Sequence, residues 1–374
     1  DMTGSVFGDV PRFTEDFLRG IPEHRYHSDT LAGNHISGMQ GMALGDVNGD
    51  GLEDLYVVQP GGLMNRLFLH LPDGSVKDIS LESGLAFRNG GRSALFFDMD
   101  NDGDQDLAVS FVNFVLIAFN RGDGTFQGQT TLKLPGAAGI YSMSVADPDQ
   151  DGDLDLYCGR YSYNPTRLDI NSPPLPYHDA QNGPPNVFWR QEEPGVFVDA
   201  TAEVGLDQNN NRYTYATIWD DIDDDGDVDL YVANDFGRNN LYRNDGGRFR
   251  DVAAEAGAED RSSGMGVTAG DYDGDGDIDL FISNMFSSAG QRIVPQYGTG
   301  VADDALIDDH LQFAVGSTLL ANRGDGTFEN VSREAGVQVA GWAWGAKFLD
   351  IDNDGWPDIY SPNGYITNKD SNDL

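Results

Sequence analysis

The sequence predicts an all-β fold, a β-propeller of four-stranded antiparallel blades with six repeats counted and seven allowed, closed by its N-terminal strand. Three observations carry that expectation. An acidic nine-residue pattern, written most fully as Asp271-Tyr-Asp273-Gly-Asp275-Gly-Asp277-Ile-Asp279, begins six times, at Asp46, Asp98, Asp147, Asp221, Asp271 and Asp350. Each copy runs straight into a short apolar stretch rich in strand formers, such as Leu55-Tyr-Val-Val58 and Leu280-Phe-Ile282. Successive copies start 52, 49, 74, 50 and 79 residues apart, which gives a unit of about 50 residues with one insertion in the third and another in the fifth.

Taken in order, Val6-Phe-Gly-Asp-Val10 reads as a strand, and its pattern returns as Phe197-Val-Asp-Ala200, Phe249-Arg-Asp-Val252 and Phe328-Glu-Asn-Val331. Those later copies close their repeats. The N-terminal copy is therefore expected to pair with the last repeat and hide both sheet edges. A short helix over residues 14–19 and a polar loop follow. The first complete unit has strand A at 41–44, the acidic loop from Asp46, strand B at 55–58, strand C at 66–69, a Pro72-Asp-Gly74 turn, strand D at 76–79 and a one-turn helix at 81–84. The same order recurs from Ser93, Ser142, Tyr215 and Met265, and a sixth unit starts at Trp342 and is cut short after Tyr360. Both insertions, residues 160–185 and 285–315, fall between strands B and C. In an up-and-down meander successive connections alternate ends, so the insertions are expected on the face opposite the acidic loops. The whole chain, 1–374, reads as one domain.

The 374 residues carry 62 acids against 23 bases, a net charge of −39. Six divalent ions would leave about −27, so the surface stays acidic and neither nucleic acid nor an anionic membrane is an expected partner. The longest apolar run, residues 111–119, is interrupted by Asn113 and is too short to span a bilayer. Cys158 is the one cysteine, so the fold cannot rest on an internal disulfide, and its apolar strand predicts a buried thiol.

Oxygen side chains at positions 1, 3, 5 and 9, with Gly at position 6 to turn the backbone, make a cage suited to a hard divalent cation, for which calcium is the expected occupant at about six sites. Embedded in this repeat, the Asp-x-Asp-x-Asp-Gly-x-x-Asp loop resembles the FG-GAP/VCBS repeats of integrin-alpha-like propellers. The Gly324-Asp-Gly-Thr-Phe328 hairpin and the Glu-Ala-Gly turn after strand D are similar to the cartilage-acidic-protein-like (ASPIC/UnbV-type) branch. The resemblance implies metal ligation by the side chains at positions 1, 3, 5 and 9 and by the backbone carbonyl at position 7. In this chain the side chains are Asp46, Asn48, Asp50 and Asp54; Asp98, Asp100, Asp102 and Asp106; Asp147, Asp149, Asp151 and Asp155; Asp221, Asp223, Asp225 and Asp229; Asp271, Asp273, Asp275 and Asp279; Asp350, Asp352, Asp354 and Asp358. Asn48 keeps an oxygen but removes a charge. Such sites fill at millimolar calcium, which points to an extracellular, periplasmic or cell-surface location and to a part of a larger exported protein.

Arg121-Gly-Asp123 and Arg323-Gly-Asp325 spell an attachment tripeptide, but both sit in a tight hairpin whose geometry already demands Gly and Asp. His24, His27 and His35 lack metal-site spacing and read as solvated loop histidines. Tyr161, Tyr163, Tyr177, His178, Arg212, Tyr213, Arg238 and Phe286 fall in or beside the connections of the insertion face and form the expected ligand face for a protein or glycan, with Arg160, Arg261, Tyr297 and Trp342 among the residues interleaved there. The first functional expectation is thus a non-enzymatic adhesion or protein-interaction module. A lectin-like carbohydrate-binding propeller is the alternative. A polysaccharide- or phosphoester-acting enzyme is the third, and it requires His178-Asp179 and Asp309-His310 to converge.

Overall fold

The computed structural model describes residues 41–59, 62–111, 113–136, 139–162, 174–298 and 304–362. Among them the chain folds as five four-stranded antiparallel meanders and one two-stranded sheet, in the order of the sequence repeats. Blade 1 holds β1 (Met42–Gly45), β2 (Asp54–Val57), β3 (Arg66–His70) and β4 (Val76–Asp78), and blade 2 holds β5 (Ala94–Phe97), β6 (Asp106–Ser110), β7 (Phe114–Asn120) and β8 (Phe126–Lys133). Blade 3 is β9 (Gly139–Ala146), β10 (Asp155–Ser162), β11 (Val187–Glu193) and β12 (Val196–Asp199); blade 4 is β13 (Tyr213–Asp220), β14 (Asp229–Phe236), β15 (Asn240–Asn244) and β16 (Phe249–Asp251). Blade 5 is β17 (Gly264–Gly270), β18 (Asp279–Asn284), β19 (Thr318–Asn322) and β20 (Phe328–Asn330), followed by β21 (Lys347–Leu349) and β22 (Asp358–Tyr360).

The second strand of each blade is apolar without alternation because both of its faces are covered by neighbouring blades. β6 and β18 are buried at every residue. The core accordingly lies in layers between blades. Tyr56, Leu67 and Leu85 of blade 1 pack on Leu107, Val109 and Leu116 of blade 2, whose other face sets Ala108 and Ile117 against Leu156 and Cys158 of blade 3. Tyr157 and Phe188 meet Leu230 and Tyr242, and Tyr231 and Leu241 meet Leu280 and Leu320. The first strands of the blades neighbour one another in sequence, β9 with β13 and β13 with β17, as inner strands around a propeller axis do. Cys158 is wholly buried and its thiol is pushed up to about 12, chiefly by that burial.

Three details refine the sequence reading. Helices follow the fourth strand at Thr201–Val204 and Ala253–Ala256, ending on left-handed Gly205 and Gly257, whereas residues 81–84 and 332–336 form hydrogen-bonded turns. Strand β10 continues through two bulges, pairing Arg160 with Ile140 and Ser162 with Gly139, so the first insertion leaves the sheet after Ser162 rather than at Arg160. The apolar run at 111–119 supplies β7. The strand at 6–10, the helix at 14–19, the N-terminal closure, the three early histidines and Tyr163 lie outside the described residues. Among the described residues no helix is long and apolar enough to cross a membrane.

Candidate functional site: acidic loops and the insertion junction

Each acidic loop joins the first strand of a blade to the second, and its side chains build the turn before they can serve any ion. Position 1 accepts twice: Oδ1 of Asp46, Asp98, Asp147, Asp221, Asp271 and Asp350 takes the position-5 N–H at 3.0–3.2 Å, and Oδ2 takes the position-6 N–H at 2.8–3.1 Å. Position 5 then accepts the N–H of position 7 at 2.9–3.0 Å in all six. The position-6 glycines hold φ between 83 and 97°, a left-handed turn that a Cβ would strain.

Position 9 has a second task that the sequence reading missed. In the first, second, fourth and fifth loops, Asp54, Asp106, Asp229 and Asp279 accept the position-2 N–H on one oxygen and, on the other, an N–H at the end of the third strand, from His70, Asn120, Asn244 or Asn322. The carboxylate staples loop, second strand and third strand together. Asp155 obtains only the Gln191 N–H, because Pro148 stands at position 2 and has no proton to donate, so its Oδ2 is buried without a partner. Burial pushes Asp106 and Asp229 up to about 7, Asp279 to about 6 and Asp155 to about 8.

These loops fit a divalent cation. In five of them three aspartate carboxylates, such as Asp98, Asp100 and Asp106, present oxygens within 4.8 Å of one another. Two oxygens on opposite sides of an ion at about 2.4 Å would be that far apart. Asp100 Oδ1, Asp155 Oδ2 and Asp223 Oδ1 are buried oxygens with no hydrogen-bond donor, and desolvation raises all three acids. A bound cation would supply the missing counter-charge. The fourth loop already has one cation nearby, Arg243 Nε at 2.8 Å from Asp223 Oδ2. In the first loop Asn48 donates to Asp50 Oδ2 at 3.1 Å.

The repeat pattern matches a known family. The FG-GAP-like repeat profile covers residues 46–109, 112–158, 221–282 and 305–361, more than half of the chain and all six acidic loops. The chain belongs to the FG-GAP-like repeat family. That match is to the repeat as such and does not single out the ASPIC/UnbV-type branch. No curated protein matches the sequence. Among solved structures, this FG-GAP-like chain is similar to the V. cholerae biofilm matrix protein Bap1 (15% identity, TM-score 0.41, 79% of this chain and 39% of that one). It is also similar to an Agrocybe aegerita lectin that recognises non-reducing terminal N-acetylglucosamine (15%, 0.47, 87% and 75%). A Bacillus licheniformis rhamnogalacturonan lyase is a third (14%, 0.37, 85% and 64%). The chain therefore spans well under half the length of the first of these. Likeness at this level says nothing about what this chain binds.

The two insertions leave the far ends of β10 and β18, away from the acidic loops, and they meet. His178 Nε2 lies 3.8 Å from Asp309 Oδ2, and the His178 and His310 rings are 5.6 Å apart. Tyr177 packs on Phe236, His310 and Phe313. A line of alternating charge continues beneath: Asp309 holds Arg261 at 2.9 Å, Arg261 faces Glu259, Glu259 holds Arg238 at 2.7 Å, and Asp179 lies 3.4 Å from both Arg238 and Arg212. The convergence that the third functional reading requires is present, but every acid in the line has an arginine partner. That arrangement joins the described residues of the two insertions into one surface.

The expected ligand face divides by depth. Tyr177 is 50% exposed, His178 and Arg238 are partly exposed, Tyr161 and Phe286 are half-buried, and Arg212 and Tyr213 are buried supports. Arg160 is wholly buried, its guanidinium donating to the carbonyls of Pro185 and Pro135, so it belongs to the core and not to the face. In each Arg-Gly-Asp hairpin the Asp accepts the backbone and hydroxyl protons of the following threonine, Thr125 or Thr327, which is the turn role expected of it.

Near the end of β14 lies Asp235, which no sequence motif marks. Tyr161 donates to its Oδ2 at 2.5 Å, and Tyr141, Tyr213 and Tyr215 surround Tyr161. Burial raises the Asp235 carboxyl to about 7 against the lowering effect of Tyr161 and Ser263. Between about pH 4 and 7 the folded state therefore keeps a proton that the unfolded chain has lost, and this group's contribution to stability falls as pH rises, by up to about 4 kcal/mol. Asp235→Asn should remove that slope. In saturating calcium its denaturation midpoint should gain on the wild type from pH 5 to about 7 and then level off, and a difference independent of pH would refute the assignment.

Proposed function

We propose that this chain is a calcium-stabilised propeller that works outside the cell as an adhesion or interaction module, as one domain of an exported protein, with the joined insertions as its docking surface. The observation that carries this reading is the junction itself. Two segments from non-adjacent blades, far apart in sequence, are held together by Tyr177, His178, Asp309 and His310 at the ends of the blades remote from the acidic loops. Exposed rings on a surface fixed by ion pairs lose little entropy on binding, which suits a protein or glycan ligand. The acidic loops, in turn, supply charge that millimolar calcium neutralises, which supports an extracellular setting.

The test is to shorten the first insertion by removing residues 164–173 and separately to make Tyr177→Ala, then to screen both against wild type on immobilised matrix proteins and a glycan array. Both variants should melt within about 3 °C of wild type and lose at least tenfold in binding to whichever target the wild type captures. Hits on glycans alone would favour the lectin reading. Binding that survives both changes would remove the junction from the account.

A further inference from the structure

In the second and third acidic loops the residue at position 4 lies outside the carboxylate set, yet it reaches the next loop. Asn101, in the second loop, donates through Nδ2 to the Gly152 carbonyl at 3.1 Å and to Asp153 Oδ1 at 2.8 Å, in the third loop. Gln150, in the third, donates through Nε2 to the Gly226 carbonyl at 3.0 Å and to Asp227 Oδ1 at 2.7 Å, in the fourth. Both targets are positions 6 and 7. Both donors stand in the left-handed region, with φ of 58 and 59°, a conformation unfavourable for glutamine and one that aims the side chain across the blade boundary.

What those amides grip is decisive. The N–H groups of Gly152 and Asp153 are bound by Asp147 Oδ2 and Asp151 Oδ1, and those of Gly226 and Asp227 by Asp221 Oδ2 and Asp225 Oδ1. Fixing the position 6–7 peptide therefore fixes the position-1 and position-5 carboxylates of the neighbour. We infer that Asn101 and Gln150 are positioning residues that tie the second, third and fourth loops into one coupled cation-binding run, an inference that rests on the calcium reading above.

The run stops at the next boundary. Position 4 of the fourth loop is Asp224, and with position 7 of the fifth, Asp277, it lines a cavity of about 300 Å³ between the loops. Two carboxylates face a gap where the earlier boundaries have an amide and an acid. Beyond it the contact is apolar: the Trp356 ring of the sixth loop lies 2.7 Å from where a Cβ on Gly274 would stand. The same two positions meet at each of these four boundaries, and only the chemistry changes.

Calorimetric titration of calcium into the whole chain, paired with melting in excess chelator, tests this. The Asn101→Ala, Gln150→Ala double variant should keep the number of bound ions but bind those of the coupled second, third and fourth loops about three- to tenfold more weakly, with its melting temperature in chelator nearly unchanged. Asp224→Asn, which puts an amide opposite Asp277, should strengthen binding by a similar factor and cannot be explained by damage. Normal uptake by wild type with unaltered affinities in both variants, or an equal loss of melting temperature with and without calcium, overturns the coupling alone. No calcium uptake by wild type overturns the calcium reading and the coupling together.

Discussion

In excess chelator the protein should melt about 3 to 10 °C below its melting temperature in 1 mM calcium, and a metal count on the purified chain should approach six. Extracellular modules bind calcium with dissociation constants of roughly 0.1 to 1 mM, so each site contributes about 0.4 to 1.4 kcal/mol at 1 mM by mass action. Six such sites, summed without any coupling between them, give roughly 2 to 8 kcal/mol, comparable with the whole stability of an ordinary domain. For a chain of this length the unfolding entropy converts that sum into the stated shift. The structure explains why the metal-free form should be weak rather than unfolded. Its loops keep their hydrogen bonds from positions 1, 5 and 9, and the core lies between blades, away from the ions. Loss is concentrated where buried oxygens such as Asp100 Oδ1 and Asp155 Oδ2 have no donor. An unchanged melting temperature, or a chain that holds no metal, would show that these loops are acidic turns and nothing more.

The architecture was readable because one turn chemistry is repeated in register: six copies of the acidic pattern, each feeding an apolar strand, leave few alternatives to a meander per repeat. The ends of strands were less so. β10 extends to Ser162 because Arg160, a charged residue, is buried by donating to two carbonyls, and a polar residue in an otherwise apolar strand gives no sign of that. The staple made by position 9 was hidden in plain sight. Asp at that position reads as a ligand, and its backbone partners at the end of the third strand lie 14 to 43 residues further on, such as Asn120 and Asn322. Those same asparagines, with Gln191 and Asn244, lock each blade to the one before by donating to the position-2 carbonyls of Val47, Met99, Pro148 and Ile222. Their recurrence at the end of the third strand was the available signal. Asp235 had none, since its role depends on Tyr161, 74 residues away in sequence.

Separating the structural from the metal-binding role of the carboxylates yields the second large effect, which contrasts two aspartates of a single loop. Asp279 accepts the N–H of Tyr272 at 2.9 Å and of Asn322 at 2.8 Å, and it is buried; Asp273 is exposed and bonds no backbone in that staple. Asp279→Ala should therefore strand two N–H groups at about 1 to 3 kcal/mol each, a loss of roughly 2 to 6 kcal/mol. Because the loss comes from backbone groups, it should appear in calcium and in chelator alike. Asp273→Ala should instead cost only the binding energy of one site, about 0.4 to 1.4 kcal/mol at 1 mM calcium, and nothing in chelator. Denaturant titrations of both variants in the two buffers resolve the difference. Equal behaviour of the two, with both losses vanishing in chelator, would reduce position 9 to one more ligand and remove the staple as a source of stability. Calcium-independent loss at Asp279 alone would mean that the loop is first a piece of folded backbone, held by its own carboxylates, and only then a place where an ion can sit.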